Sequence, residues 1–257
     1  MNGSFVSSNN RATKIHAVRV PMGQPLIWLQ RGWTDMWRHW GASLGQGALI
    51  VAIGWTVLVF CGTHPYYVAA AITAFLLVAP VMSAGFSEMS RRYASGEPAT
   101  FDDSLEGFAH NHRELLLFGI ILGLIAIAWF ALSAVMLSSV FHVPAPNMQE
   151  TMYRGFIDTI HRTQLAAYVA VGGVLAVMVF VLSVVTVPLI IDQQASAGRA
   201  MLASVKAAFA NIPVMILWSA LILVLTLIAY VPLLFGLLVI SPLLGHATWH
   251  AYRDLIR

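Results

Sequence analysis

A chain of 257 residues with 59% apolar and only 10% charged residues is far too rich in hydrocarbon for a water-soluble domain, so its surface has to face lipid. The formal net charge of +3 is scattered along the borders of apolar runs rather than gathered on one polar domain, which argues against nucleic acid as a partner. The one cysteine, Cys61, excludes an intrachain disulfide framework and a cysteine-based zinc or iron–sulfur site.

Residues 1–25 mix Gly, Ser, Asn and Pro without apolar periodicity and are expected to form a mobile cytoplasmic tail. No apolar run of signal-peptide length occurs in the first forty residues, so the amino terminus is expected to be retained. From Leu26 the pattern changes. Trp33, Met36, Trp37 and Trp40 recur at i, i+3, i+4 and i+7 with Arg31, Asp35 and Arg38 between them, which predicts an amphipathic helix. Indole favours the headgroup region, so this helix is expected to lie along the membrane surface; an amphipathic helix packed on a partner is the other reading.

The uncharged run 41–62 is long enough to cross roughly 30 Å of hydrocarbon and gives span one. His64-Pro65 makes a turn into span two, 66–87, which contains Pro80. Glu88 to Glu114 is the most polar stretch; within it Thr100 and Asp103 have capping-box spacing, and Phe101, Leu105 and Phe108 form an apolar stripe, so a second surface helix is expected. Span three covers 115–141. The polar segment 142–163, broken by Pro144 and Pro146, is expected as a loop with a short helix around Met152 to Ile160. Span four covers 164–191. A third surface helix follows over 192–211, with Met201, Val205 and Phe209 at helical spacing opposite Arg199 and Lys206. The uncharged stretch from Ala207 to Gly245 is about twice as long as the bilayer core, and Tyr230-Val231-Pro232 is where it folds back, giving spans five and six at 212–230 and 232–250.

Six spans with both termini inside place all but two of the fourteen Lys and Arg residues on one side, only Arg154 and Arg162 facing the other. The order surface helix, span and return span occurs three times, with Pro80, Pro188 and Pro242 in the return spans. A parallel threefold repeat of helical hairpins fits this order, although any six-span protein with amphipathic linkers would share it. The expected fold is therefore an all-α polytopic membrane protein, a six-helix domain over 26–257 with cytoplasmic surface helices.

No span has Asp, Glu, Lys or Arg near its middle, which disfavours ion-coupled transport and leaves a passive pathway open. Gln46 is the most polar group of span one. Gly41, Gly45, Gly47 and Gly54, and Gly172 with Gly173, are read as close helix contacts rather than a backbone-lined pore. His246 and His250 stand at i and i+4, on one helix face, a spacing from which two imidazoles can share a metal ion. His39, His110, His112, Glu88 or Asp192 would have to complete such a site. Ala247 occupies the place where a zinc protease needs its glutamate, and rings leaving the same face cannot ligate one haem from both sides. The alternative is an interfacial pair beside Trp249 and Tyr252, hydrogen-bonded to loops or headgroups. No phosphate-binding glycine loop and no nucleophile motif occurs, so neither catalysis nor a cofactor is expected.

Trp28-Leu29 with Gly32-Trp33-Thr34-Asp35, Glu88-Met89-Ser90-Arg91-Arg92 with Gly96-Glu97, and Leu243-Leu244-Gly245-His246-Ala247-Thr248-Trp249-His250-Ala251-Tyr252-Arg253 resemble the DUF2189 family of predicted bacterial membrane proteins. The closing segment is the most specific part of a resemblance that runs from Leu26 to Ile256. It implies a bacterial inner membrane and no known activity; labels on some members linking them to cytochrome c oxidase imply a respiratory complex as a neighbour. The resulting expectation is a non-enzymatic accessory or assembly protein that contacts lipid and binds a protein partner through Trp33, Trp37, Trp40, Trp249 and Tyr252. The alternative is a channel or carrier for a small neutral or lipid-like solute.

Overall fold

A computed structural model describes residues 16–61, 65–141 and 162–257, and its regular elements there are ten helices. They are α1 (Gln24–Arg38), α2 (Trp40–Cys61), α3 (Pro65–Ala94), α4 (Phe101–His110), α5 (His112–Phe141), α6 (Arg162–Ser183), α7 (Thr186–Gln193), α8 (Ala197–Ala210), α9 (Ile212–Tyr230) and α10 (Leu237–Leu255). Among the described residues four stretches are long and apolar enough to cross a membrane: Trp40–Val59, His112–Ser133, Val169–Gln193 and Ile212–Tyr230. Their outward side chains, among them Leu124, Ile127, Val174 and Leu223, are exposed. That is what lipid as solvent asks of them.

The other two expected spans differ in character. α3 runs beyond 66–87 to Ala94 and carries Glu88, Arg91 and Arg92 on its last turns. α10 begins at Leu237, after a turn over 231–236 in which Leu233 and Leu234 hold positive φ of 49° and 70°. The expected span 164–191 is broken in two: α6 stops at Ser183 and α7 starts at Thr186. Pro188 explains the break, since it cannot donate to the carbonyl of Val184 and its ring crowds that carbonyl, whereas the first turn of a new helix tolerates it. The expected loop helix around Met152 to Ile160 lies outside the described residues.

α10 is the axis of the bundle, packed against α1, α2 and α3, with α9 and α7 completing its surroundings. Two glycines allow the approach. A Cβ at Gly32 would stand 2.7 Å from the backbone nitrogen of Ala247, and one at Gly47 would stand 2.5 Å from the carbonyl oxygen of Leu238. Gly41 meets nothing within 4 Å, so only part of the glycine row of α2 serves packing.

All three expected surface helices exist, and each packs a face that includes small residues against the bundle while large apolar side chains stay at the surface. α1 buries Trp28, Gly32, Asp35 and Met36, while Trp33 and Trp37 point out. α4 buries Ser104 and Gly107 and leaves Leu105 exposed. α8 buries Ala200, Ala203, Ser204 and Ala207 and exposes Leu202 and Phe209. Small residues let these helices sit close on the bundle, and large apolar ones remain free for a medium that is itself apolar. The capping box of α4 is present, the Thr100 hydroxyl accepting from the Asp103 N–H and the Asp103 carboxylate accepting from Thr100.

Residues 16–25 were expected in a mobile tail, and from His16 onward they are ordered. Ala17 pairs antiparallel with Ile256, and the side chain of Asn211 accepts from Val20 N–H and donates to the Val18 carbonyl. Both ends of the described chain therefore lie on the same side of the molecule.

Candidate functional site

Where α10 crosses α1, α2 and α3, four helices contribute to one buried polar junction. His246 is 2% exposed and Ser43 0%. The ring of His246 meets Ser90 Oγ at 2.7 Å through Nδ1 and Ser43 Oγ at 3.0 Å through Nε2. Ser90 Oγ donates to Asp35 Oδ2 at 3.4 Å, and His250 Nε2 donates to the same oxygen at 2.8 Å. One proton arrangement satisfies all four contacts: Ser43 O–H donates to Nε2, Nδ1–H donates to Ser90, and Ser90 and His250 both donate to Asp35. Every donor in the chain ends on one carboxylate.

The local sequence explains the placement. Trp28, Gly32, Asp35 and Met36 share a face of α1, and the i, i+4 spacing of His246 and His250 brings both rings toward it. One turn further along α10, Asp254 accepts from Gln24 Nε2 at 2.6 Å and from Trp28 Nε1 at 2.9 Å, with Arg31 at 3.4 Å. The ring of Trp28 packs edge-on to Trp218 of α9 at 5.5 Å. α1 is thereby fixed along its whole length.

Beside this junction lies an ionic cluster on α3 and α4. Glu88 receives Arg91 in a two-point contact at 2.7 and 2.8 Å and Arg92 at 3.0 Å. Arg92 also reaches Asp103 at 2.7 Å and Glu106. Burial pushes the Glu88 carboxyl up, but the combined hydrogen bonds and charges of the two guanidinium groups outweigh it and hold the group below its usual value of 4.5. The two Thr100 hydrogen bonds likewise hold Asp103 low.

Of the residues expected to meet a partner, the structure separates two kinds. Trp33, Trp37 and Trp40 are 46%, 50% and 62% exposed, and the rings of Trp33 and Trp37 meet edge-on at 5.6 Å. Trp249 and Tyr252 are each 2% exposed, and the expectation that they form an outer face is corrected. α10 is central rather than peripheral, so its closing residues pack inward: Tyr252 donates to Asp192 at 2.5 Å and accepts from Gln193 at 3.1 Å. Burial first, and then the bond to Asp192, raise its phenol pKa.

His246 and His250 do share a face, but each is directed to its own partners, and both ring nitrogens of His246 are taken by hydroxyls. The side chains that would complete a metal site are engaged elsewhere. Glu88 holds its arginines, Asp192 holds Tyr252, His39 lies edge-on to Tyr93, and His110 and His112 bond carbonyls of α4. Among the described residues no group of three or more His, Cys, Asp or Glu is arranged to hold a metal ion. Asp35, Ser43 and Ser90 were not singled out in the sequence; the signal available was the shared face of Trp28, Gly32 and Asp35, masked by the stronger tryptophan stripe.

An all-helical bundle with, among the described residues, four apolar stretches long enough to cross a membrane and with lipid-facing side chains is an integral membrane protein. Residues 68–192 match the family described as a predicted integral membrane protein, DUF2189. The matched stretch contains Glu88 to Arg92 and Gly96-Glu97, and it leaves outside it both α1 and the closing segment on which the resemblance was most specific. No curated protein and no solved structure matches the chain.

Proposed function

We propose that this is a non-enzymatic accessory protein of a bacterial inner membrane, spanning it six times with both termini in the cytoplasm, and that it binds a membrane partner through Trp33, Trp37 and Trp40. The carrying observation is that Trp33 and Trp37 form an exposed edge-on pair on α1, a helix packed on α10 at Gly32 and Trp28, and that Trp40, exposed as well, opens α2 two residues after α1 ends. Rigid, exposed tryptophan flanked by arginine is the composition of protein-binding hot spots, and an immobile support keeps the ordering cost of association low. Arg38, stacked 4.6 Å over Tyr93, and Arg31 supply the flanking charge.

Two observations support the even number of spans and the shared side of the termini. Ala17 pairs with Ile256, and the surface helices that carry the basic residues turn their large apolar side chains outward, as helices at a bilayer border do. The non-enzymatic reading is supported by the burial of Ser43, Ser90 and His246, which leaves both serine–histidine contacts of the junction without access for a substrate. The DUF2189 resemblance makes a respiratory complex the first partner to test.

Site-specific photo-crosslinking tests the reading. A photoreactive residue at position 37 should give a discrete protein adduct in membranes, and one at the lipid-facing position 124 should not. The Trp33→Ala, Trp37→Ala, Trp40→Ala triple variant should lose the co-purifying protein while remaining folded; adducts only with lipid at position 37 would refute the proposal.

A further inference from the structure

A cavity of about 330 Å³ lies among α2, α3, α6, α9 and α10. α9 lines it from Trp218 to Tyr230, a length of about 18 Å at the helical rise and more than half of a hydrocarbon core roughly 30 Å thick. Its walls are mainly apolar, with Phe86, Phe180, Trp218, Ile222 and Leu244 among them, and no charged side chain among the described residues lines it. The hydroxyls of Ser83, Ser183, Ser241 and Thr248 each donate to a carbonyl of their own helix, so they are spent as donors. Tyr230 differs. It stands at the end of the cavity near the turn 231–236, and its hydroxyl is shut off from solvent without a hydrogen-bond partner among the described residues. A buried hydroxyl in that state is destabilising by about 1–3 kcal/mol, and an acceptor brought by a ligand would relieve it.

We propose that this cavity binds a neutral, single-chain lipid-like molecule bearing a carbonyl or hydroxyl oxygen at one end. The chain lies along Trp218, Ile222 and Leu244, and the oxygen accepts from the Tyr230 hydroxyl. Three observations select this class. The volume is at the small end for ligand sites, which admits one chain rather than two. The length follows the spans. The uncharged lining gives an ionised headgroup no counter-charge in a low-dielectric surrounding, so carboxylates and phosphates are rejected. The inference does not depend on the partner proposed for the tryptophan face.

The test uses the purified full chain in detergent, photolabelled with a diazirine-bearing monoacylglycerol. Adducts are expected on peptides of α9 and α10, displaced by unlabelled monoolein at about tenfold lower concentration than by oleate. Ile222→Trp, which fills the cavity, should reduce labelling about tenfold, and Tyr230→Phe about fivefold, the loss of one hydrogen bond. Leu124→Trp on the lipid-facing side of α5 should leave it unchanged. Labelling spread over the lipid-exposed helix faces and unaffected by Ile222→Trp overturns the proposal, as does equal displacement by oleate. If Ile222→Trp does not elute as a single folded species, Ile222→Phe and Tyr230→Phe decide the same question, and labelling unchanged in both overturns it.

Discussion

Asp35 and His250, 215 positions apart in the chain, meet at 2.8 Å, and through them the first and tenth helices share one buried charge. The carboxylate oxygen of Asp35 also takes the hydroxyl of Ser90, which joins it to His246 and, beyond that ring, to Ser43. Four helices depend on one side chain.

Asp35→Ala should therefore destabilise the protein by about 2–4 kcal/mol, because it strands His250 and Ser90 without an acceptor in a buried setting. Thermal unfolding in detergent measures this. The Asp35→Ala, His250→Ala double variant should lose less than the sum of the single variants, with a coupling of about 0.5–3 kcal/mol. Strict additivity would show that the contact does not hold the helices.

Gly32→Leu should lift α1 from α10, since even a Cβ at this position approaches the Ala247 nitrogen to 2.7 Å and the Leu243 oxygen to 2.8 Å. A cost of about 1–3 kcal/mol is expected for Gly32→Ala and more for leucine. Limited proteolysis should cut within α1 in the variant and spare it in the parent. Equal resistance would show that the two helices have room to spare.

Glu88 predicts a pH dependence with a definite sign. Its folded pKa lies below the ordinary value of 4.5, so the stability it contributes is complete above about pH 4.5 and is lost as pH falls through the folded value. Melting temperature followed from pH 7 to pH 3 should fall in the parent, and the fall should be smaller in Glu88→Gln. Parallel curves would remove Glu88 from the account of acid sensitivity.

Topology follows from the six-span reading. Alkaline phosphatase fused within 142–161 or at the turn 231–236 should be active, and fused after Arg257 or inserted near Gly96 it should be silent. Activity near Gly96 would mean that α3 does not cross, and the count of spans would fall.

The apolar helices were legible because they need only one property. An uninterrupted run without charge reads directly as α2, α5 and α9, and for α9 the expected bounds 212–230 are the ones observed. The capping box at Thr100 was equally readable, since all of its chemistry lies within four residues. The apolar stripes of α1, α4 and α8 were legible, but the faces these helices bury, with Gly32 and Asp35, Ser104 and Gly107, and Ala203 and Ser204, were not, because small and polar residues carry no hydropathy signal and beside lipid the large apolar residues need not turn inward. Pro188 was noted but placed inside a span, although its missing N–H and its ring divide that span in two. The junction itself was hidden by distance along the chain. Nothing near Asp35 announces His250, and Ser43 and Ser90 carry side chains that are common in any membrane helix.

The interlocking of α1 with α10 also bears on how the protein is made. α1 leaves the ribosome first of the ten helices, yet the glycine notch at Gly32 and the acceptor Asp254 that hold it belong to a contact with the helix made last. More than two hundred residues of synthesis separate the two, roughly ten seconds or longer at ordinary rates of translation. During that interval Trp28 and the rest of the inner face of α1 lack the seat that α10 later gives them, so a chain stalled before α10 would present to quality-control proteases a face that the finished molecule keeps closed.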